Sequence, residues 1–140
     1  MREEKAMKFI VCYDDSELSR EVVKEAQKHA RTWNAGLEIV KALQREDPIK
    51  HARLLEMEKH LESEIGGLFE GVDIPYSVQL NVDDIDVGEK ILDLAERKKA
   101  DLIFLGIKKH SKVGKLLFGS TAQHIILHAC CPVVTVNRVR

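Results

Sequence analysis

A chain of 140 residues is one domain's worth, long enough to bury about 70% of the surface it exposes when unfolded. Apolar residues at 44% and charged residues at 32%, with eight glycines and three prolines, exclude collagen-like, disordered and low-complexity classes. Apolar runs of a few residues exclude a membrane span, which takes about 20, and a net charge of −1 excludes a protein that coats nucleic acid.

Residues 1–140 therefore read as a single domain, with 1–6 as an N-terminal extension. Arg2, Glu3, Glu4 and Lys5 precede no apolar stretch of signal-peptide length, so a cytoplasmic protein is expected. An odd cysteine count with Cys130 and Cys131 adjacent is a poor disulfide framework and predicts reduced, buried structural thiols.

The segment from Lys8 to Asp14 is strand-like, and Asp15-Ser16 offers a helix N-cap. Leu18, Val22, Val23, Ala26 and Ala30 share one face of a helix over 17–33, stopped by Asn34-Ala35-Gly36. A second strand covers Leu37 to Leu43. Asp47-Pro48 predicts the start of a second helix, with Asp as cap and Pro at its first position, and Gly71 predicts its end. The alternating Ile74 to Val82 predicts a third strand at an edge, compatible with Pro75 near its start. Asp86 caps a third helix over 87–98. Asp101 to Leu105 is continuously apolar after its first residue and predicts a central strand ending at Gly106. A last helix begins at Gly119 or Ser120, and Pro132 to Val136 forms a fifth strand. Strands alternating with helices in this way predict an open, mostly parallel α/β sheet with helices on both faces.

The charge is divided along the chain. Every carboxylate lies at or before Asp101, giving −7 for residues 1–101 and +6 for residues 102–140. Lys108, Lys109, Lys112 and Lys115 crowd the loop after the fourth strand, which focuses a positive field there. Ligands of open α/β sheets sit at the carboxyl ends of strands. A helix opening at Gly119-Ser120-Thr121 directs free N–H groups and a positive dipole toward the same place, so an anionic ligand is expected. The common phosphate signatures do not fit. Gly114-Lys115 is followed by Leu116, with Lys109 where the first glycine of G-x-x-x-x-G-K-[ST] belongs, and G-x-G-x-x-G is absent.

What fits is a longer pattern. IVCYDDS at 10–16, EKILDLAERKKADLIFLG at 89–106 and GSTAQHIILHACCPVVTV at 119–136, in this order, resemble the universal stress protein family. Its nucleotide-binding members carry Gly-x-x-Gly, nine residues, then Gly-[Ser/Thr]. Here Gly106-Ile107-Lys108-Lys109, nine residues and Gly119-Ser120 keep the spacing, with lysine in place of the second glycine. The resemblance covers about Met7 to Asn137. It implies a Rossmann-like sheet of the adenine nucleotide alpha hydrolase type, with strand order 3-2-1-4-5.

The resemblance also implies a site for ATP, AMP or ADP, with or without Mg2+. Asp14 would meet the adenine or ribose side, Tyr13 would offer backbone contacts, and Ala42 would meet adenine through its main chain. Gly106, Gly119 and Ser120 would surround the phosphates, with Thr121 and the loop carrying Lys108, Lys109 and Gly114 nearby, and Ser16 completes the expected binding residues. The function it implies is stress-response regulation without dedicated catalytic residues, at most slow ATP hydrolysis, and a homodimer joined through Pro132 to Asn137. The alternative is a nucleotide-free dimeric interaction module of the same fold.

Other chemistries have weaker support. Asp14-Asp15 with Asp83 suggests a phospho-acceptor domain, but the fifth strand ends at Asn137 where that chemistry needs lysine. His124 and His128 lie four apart on one helix without an evident third metal ligand. His110 is more simply a solvent-facing loop residue.

Overall fold

The computed structural model describes residues 6–108 and 119–137. The strands are β1 (Met7–Cys12), β2 (Ala35–Gln44), β3 (Tyr76–Asp83), β4 (Leu102–Ile107) and β5 (Val133–Asn137). The helices are α1 (Glu17–Trp33), α2 (His51–Leu68), α3 (Val87–Arg97) and α4 (Ser120–His128). The five strands form one sheet in the order β3-β2-β1-β4-β5, and all four pairings are parallel.

Period-2 alternation divides the strand residues between two cores. Phe9, Val11, Ile39 and Phe104 face α1 and α2, against Val22, Val23, Ala26, Leu61 and Ile65. Ile10, Val40, Ile103, Leu105 and Ile107 face α3 and α4, against Ile91, Leu94 and Ile125. Each such buried side chain contributes roughly 1.5–3 kcal/mol of transfer free energy.

Local signals set most of the boundaries. The Ser16 hydroxyl caps α1 by accepting from the Ser19 amide at 3.1 Å. Asn34 ends α1 in the left-handed region, φ 54°, with its amide donating to the Ala30 carbonyl. Asp86 caps α3 by accepting from the Glu89 amide at 3.3 Å.

Several boundaries differ from the sequence expectation: β1 runs Met7–Cys12, β2 Ala35–Gln44 and β3 Tyr76–Asp83, each shifted by one or two residues at its ends. Helix α2 begins at His51 with Lys50 as its uncapped N-cap, so Asp47-Pro48 belongs to the preceding turn, where the Asp47 carbonyl accepts from Arg45 Nη1 at 3.0 Å. The helix ends at Leu68, and Gly71 serves the following turn with φ 74°. Strand β4 runs through Gly106 to Ile107, because Gly106 pairs with Val136 and Ile107 with Asn137. Asp101 lies outside the strand, with its carboxylate accepting from the Lys8 amide at 2.8 Å. The edge position of β3 agrees with its alternating pattern. Pro75 precedes that strand and supplies only its carbonyl, to the Leu37 amide at 2.9 Å.

Candidate functional site

A cleft of about 470 Å3 opens at the carboxyl ends of β1 and β4 and continues down the α3/α4 face of the sheet. Its position follows from topology, since β1 and β4 are central neighbours whose following helices lie on opposite faces, which leaves a gap above their ends. Tyr13, Asp14, Ser16, Ala42, Gly106, Lys108, Gly119 and Thr121 all line it, so most of the residues singled out in the sequence come together in space. Ser120 is exposed at the first position of α4 and is not part of the wall. Lys109 and Gly114 lie outside the described residues.

Asp14 stands exposed at the mouth of the cleft. Its Oδ1 accepts from the Ser16 amide at 3.0 Å and also from the Ser16 hydroxyl. Burial pushes this carboxyl up, but the Ser16 hydroxyl and amide, the Ser19 hydroxyl and the Lys108 charge outweigh that effect and hold it below its ordinary value. Asp14 is therefore an anion at neutral pH, acceptor-only and locked in place by the turn that starts α1. Asp15 turns the chain at φ 70° and forms an ion pair with Lys41 on the opposite face of the sheet.

Tyr13 contributes backbone to the cleft and side chain to the other layer. Its amide donates to the Val40 carbonyl at 2.9 Å. Its hydroxyl donates to Glu64 Oε2 at 3.3 Å, while Arg20 Nη2 holds Glu64 Oε1 at 3.1 Å and His60 Nε2 lies 3.6 Å from Oε2. Burial, with the Glu64 charge second, raises the Tyr13 phenol. The end of β1 is thus tied to α2 from behind.

Two glycines of the site have different physical roles. A Cβ on Gly106 would lie 2.7 Å from Leu18 Cγ and 3.2 Å from Val22 Cγ2, so glycine here lets α1 approach the sheet. Its position inside β4 explains why the sequence places the strand end too early. A Cβ on Gly119 would meet nothing within 4 Å among the described residues, and its φ of −59° suits any residue. Neither its backbone nor packing among the described residues requires glycine there. No side chain among the described residues caps α4, and its first internal hydrogen bond runs from the Gln123 amide to the Gly119 carbonyl at 3.0 Å. The amides of Ser120, Thr121 and Ala122 have no partner within the helix.

The sequence reading missed the cleft floor. Cys12, Val40, Val87, Ile91 and Ile125 line it with Ala42, and burial, followed by the Asp14 charge, pushes the Cys12 thiol up to about 12. The usable signal was size: Cys12, Ala42 and Ala122 are small at positions whose strand and helix neighbours are large.

Of the cysteines expected to be buried, Cys130 is exposed, in the bend between α4 and β5, and Cys12 and Cys131 are half-buried. All three are free thiols. Asp83 is two strands away from Asp14, binding the Ile85 amide at 2.9 Å and Lys90 at 3.2 Å, which separates the carboxylates a phospho-acceptor site needs. The His124 and His128 rings are 4.6 Å apart. No group of three or more His, Cys, Asp or Glu side chains among the described residues is placed to share a metal ion.

The universal stress protein family model matches residues 6–137. A universal stress protein of Mycolicibacterium smegmatis is 25% identical over 134 residues, covering 92% of this chain and 96% of the relative. The solved universal stress protein of Archaeoglobus fulgidus superposes with a TM-score of 0.76 at 27% identity, covering 92% of each chain. An Archaeoglobus fulgidus universal stress protein in complex with dAMP has the same fold, with a TM-score of 0.73 at 24% identity over 92% of this chain and 96% of that one.

Proposed function

The chain belongs to the universal stress protein family, and on that premise we propose that it binds an adenine nucleotide, ATP or its mono- or diphosphate, as a stress-response regulator. The observation that carries this reading is the cleft at the ends of β1 and β4, apolar along its floor and polar at its mouth. Its volume lies within the range of small-ligand sites, and the dAMP-bound relative supports the choice of ligand.

The residues fit such a molecule in sections. The free amides at the start of α4 and the Lys108 ammonium suit the phosphates, with the Thr121 hydroxyl beside them. Asp14, held as an anion, suits ribose hydroxyls. Ala42 and Val40 below, with Val87 and Ile91 to the side, suit a flat base. Magnesium would arrive with the phosphates and be held through them. Lys109 and Gly114 complete the proposed phosphate loop.

The role is regulatory: bound nucleotide orders the surface around the cleft and so alters what a partner meets, with ATP hydrolysis at most slow. The proposed setting is the cytoplasm, and no helix among the described residues is long and apolar enough to cross a membrane. A homodimer through Pro132 to Asn137 is also proposed, because β5 is the last of the described strands in the sheet, with one side unpaired among the described residues, and carries half-buried Val134 and Val136. Light scattering at twice the monomer mass is the expected result.

Thermal unfolding with millimolar ATP or AMP, with and without Mg2+, tests the binding. At 100 times Kd a ligand adds about 2.7 kcal/mol, so a clear rise in Tm is expected, and Asp14→Ala should remove it. An unchanged Tm would favour the nucleotide-free interaction module.

A further inference from the structure

With β5 proposed as the dimer seam, β3 is the other edge of the sheet, and no described strand lies beyond it. Native sheets blunt such an edge with lysine, proline, a bulge or a very short strand. Strand β3 runs for eight residues, Tyr76–Asp83, and holds no lysine, arginine or proline. The Leu37 amide donates to the Pro75 carbonyl and the Arg45 amide to the Asp83 carbonyl, so the odd-numbered residues of β3 turn their backbone groups to β2. In a parallel pair the alternate units then point away, which directs the N–H and C=O groups of Tyr76, Val78, Leu80 and Val82 outward.

Beside this edge runs a groove of about 260 Å3 between β3 and α2, lined by Glu58, Leu61, Glu62, Val78, Gln79 and Leu80. The ion pairs of α2 join Arg53 to Glu56 and Glu64 to Arg20 and His60, which leaves the exposed Glu58 and Glu62 without a cation among the described residues. Four residues of helix rise about 6 Å and two residues of strand about 6.7 Å. Alternate side chains of a strand added at β3 would therefore meet Glu58 and Glu62 in turn. Leu55 lies one turn before Glu58, and Tyr76 stacks on Phe69 beyond Glu62. Both are exposed, so an apolar side chain flanks the acidic pair on either side. A second copy of this chain suits the groove poorly, because it would bring the same carboxylates against one another.

We propose that the β3 edge docks an extended segment of a partner protein as an added strand, with lysine or arginine at two alternate positions for Glu58 and Glu62 and an apolar residue two positions to either side. The outward backbone groups of Val78 and Leu80 supply the hydrogen bonds, and the alternate side chains supply the selection. This surface is separate from the nucleotide cleft, which opens at the ends of β1 and β4, so the inference stands or falls independently of the ligand.

The test titrates the full chain with the acetylated and amidated peptide Val-Thr-Lys-Thr-Lys-Thr-Val and follows it by NMR. Saturable binding is expected, with the backbone amides of Val78 and Leu80 gaining protection from hydrogen exchange while those of Gln79 and Asn81, already turned to β2, keep theirs. A variant carrying Glu58→Gln and Glu62→Gln, both at exposed positions, should unfold like the wild type and bind at least about threefold more weakly. A scrambled peptide with the two lysines adjacent should lose about as much. No binding at millimolar peptide, unmoved protection at Val78 and Leu80, or equal binding by the variant or the scrambled peptide overturns the proposal. Protection of the two amides that rises with protein concentration in the absence of peptide overturns it in favour of a second copy at this edge.

Discussion

The two faces of the sheet are built from the same strands and are used differently. On the α1/α2 face, the Phe9 and Phe104 rings lie 5.4 Å apart, His29 meets Phe104 edge-on at 5.1 Å and Phe69 stacks on Tyr76 at 3.8 Å. Glu64 then ties the end of β1 to α1 and α2. On the α3/α4 face the corresponding inward positions include Cys12, Ala42 and Ala122, and the space they leave is the cleft. One layer is filled with aromatic volume and holds the scaffold, and the other carries small residues and leaves an open cleft. Asp14 sits where the layers meet, fixed by the cap of a helix from the closed face while pointing into the open one.

Breaking the closed face should have the largest effect. Phe104→Ala removes a fully buried ring and should cost about 3–5 kcal/mol, a large share of the total stability of a domain this size. Cys12→Ala, on the open face, should cost about 1 kcal/mol or less. Denaturant unfolding of the two variants measures the contrast, and equal losses would mean that the faces are not specialised.

The glycines sharpen the comparison at intermediate scale. Gly106→Ala forces a methyl against Leu18 and should destabilise by about 1–3 kcal/mol. Gly119→Ala has open space among the described residues and an ordinary φ, so its Tm should stay within a degree or two of wild type.

The smallest expected effect is electrostatic. Because the Asp14 carboxyl titrates below its ordinary 3.8 in the folded protein, its stabilisation is complete above that pH and is lost as pH falls through the folded value. Asp14→Asn should flatten the acid side of the stability profile by less than about 1 kcal/mol, given the exposure of the group. Chemical denaturation at a series of pH values below 5 reads the difference.

The fold was largely legible in the sequence because its signals are local and agree with one another. Ser16, Asn34 and Asp86 cap or stop their helices as read, and the alternation of β3 marks it as an edge. The start of α2 was not legible, since Asp47-Pro48 satisfies the chemistry of a turn as well as that of a helix cap. The end of β4 was misplaced for a different reason. Gly106 resembles a loop residue, and only the approach of Leu18 from α1 shows why a strand carries glycine there. For the site, charged and hydroxyl residues at strand ends were readable from type and spacing. The cleft floor was not, because a small residue declares a cavity only once its neighbours are known.

The central claim is that the open face binds an adenine nucleotide beside Gly119. Calorimetric titration of the purified protein with AMP tests it most directly. The account predicts saturable binding, one nucleotide per chain, that disappears in Gly119→Glu while its Tm without ligand matches the wild type. Wild-type protein that takes up no heat at millimolar AMP, or a Gly119→Glu variant that binds equally well, would contradict it.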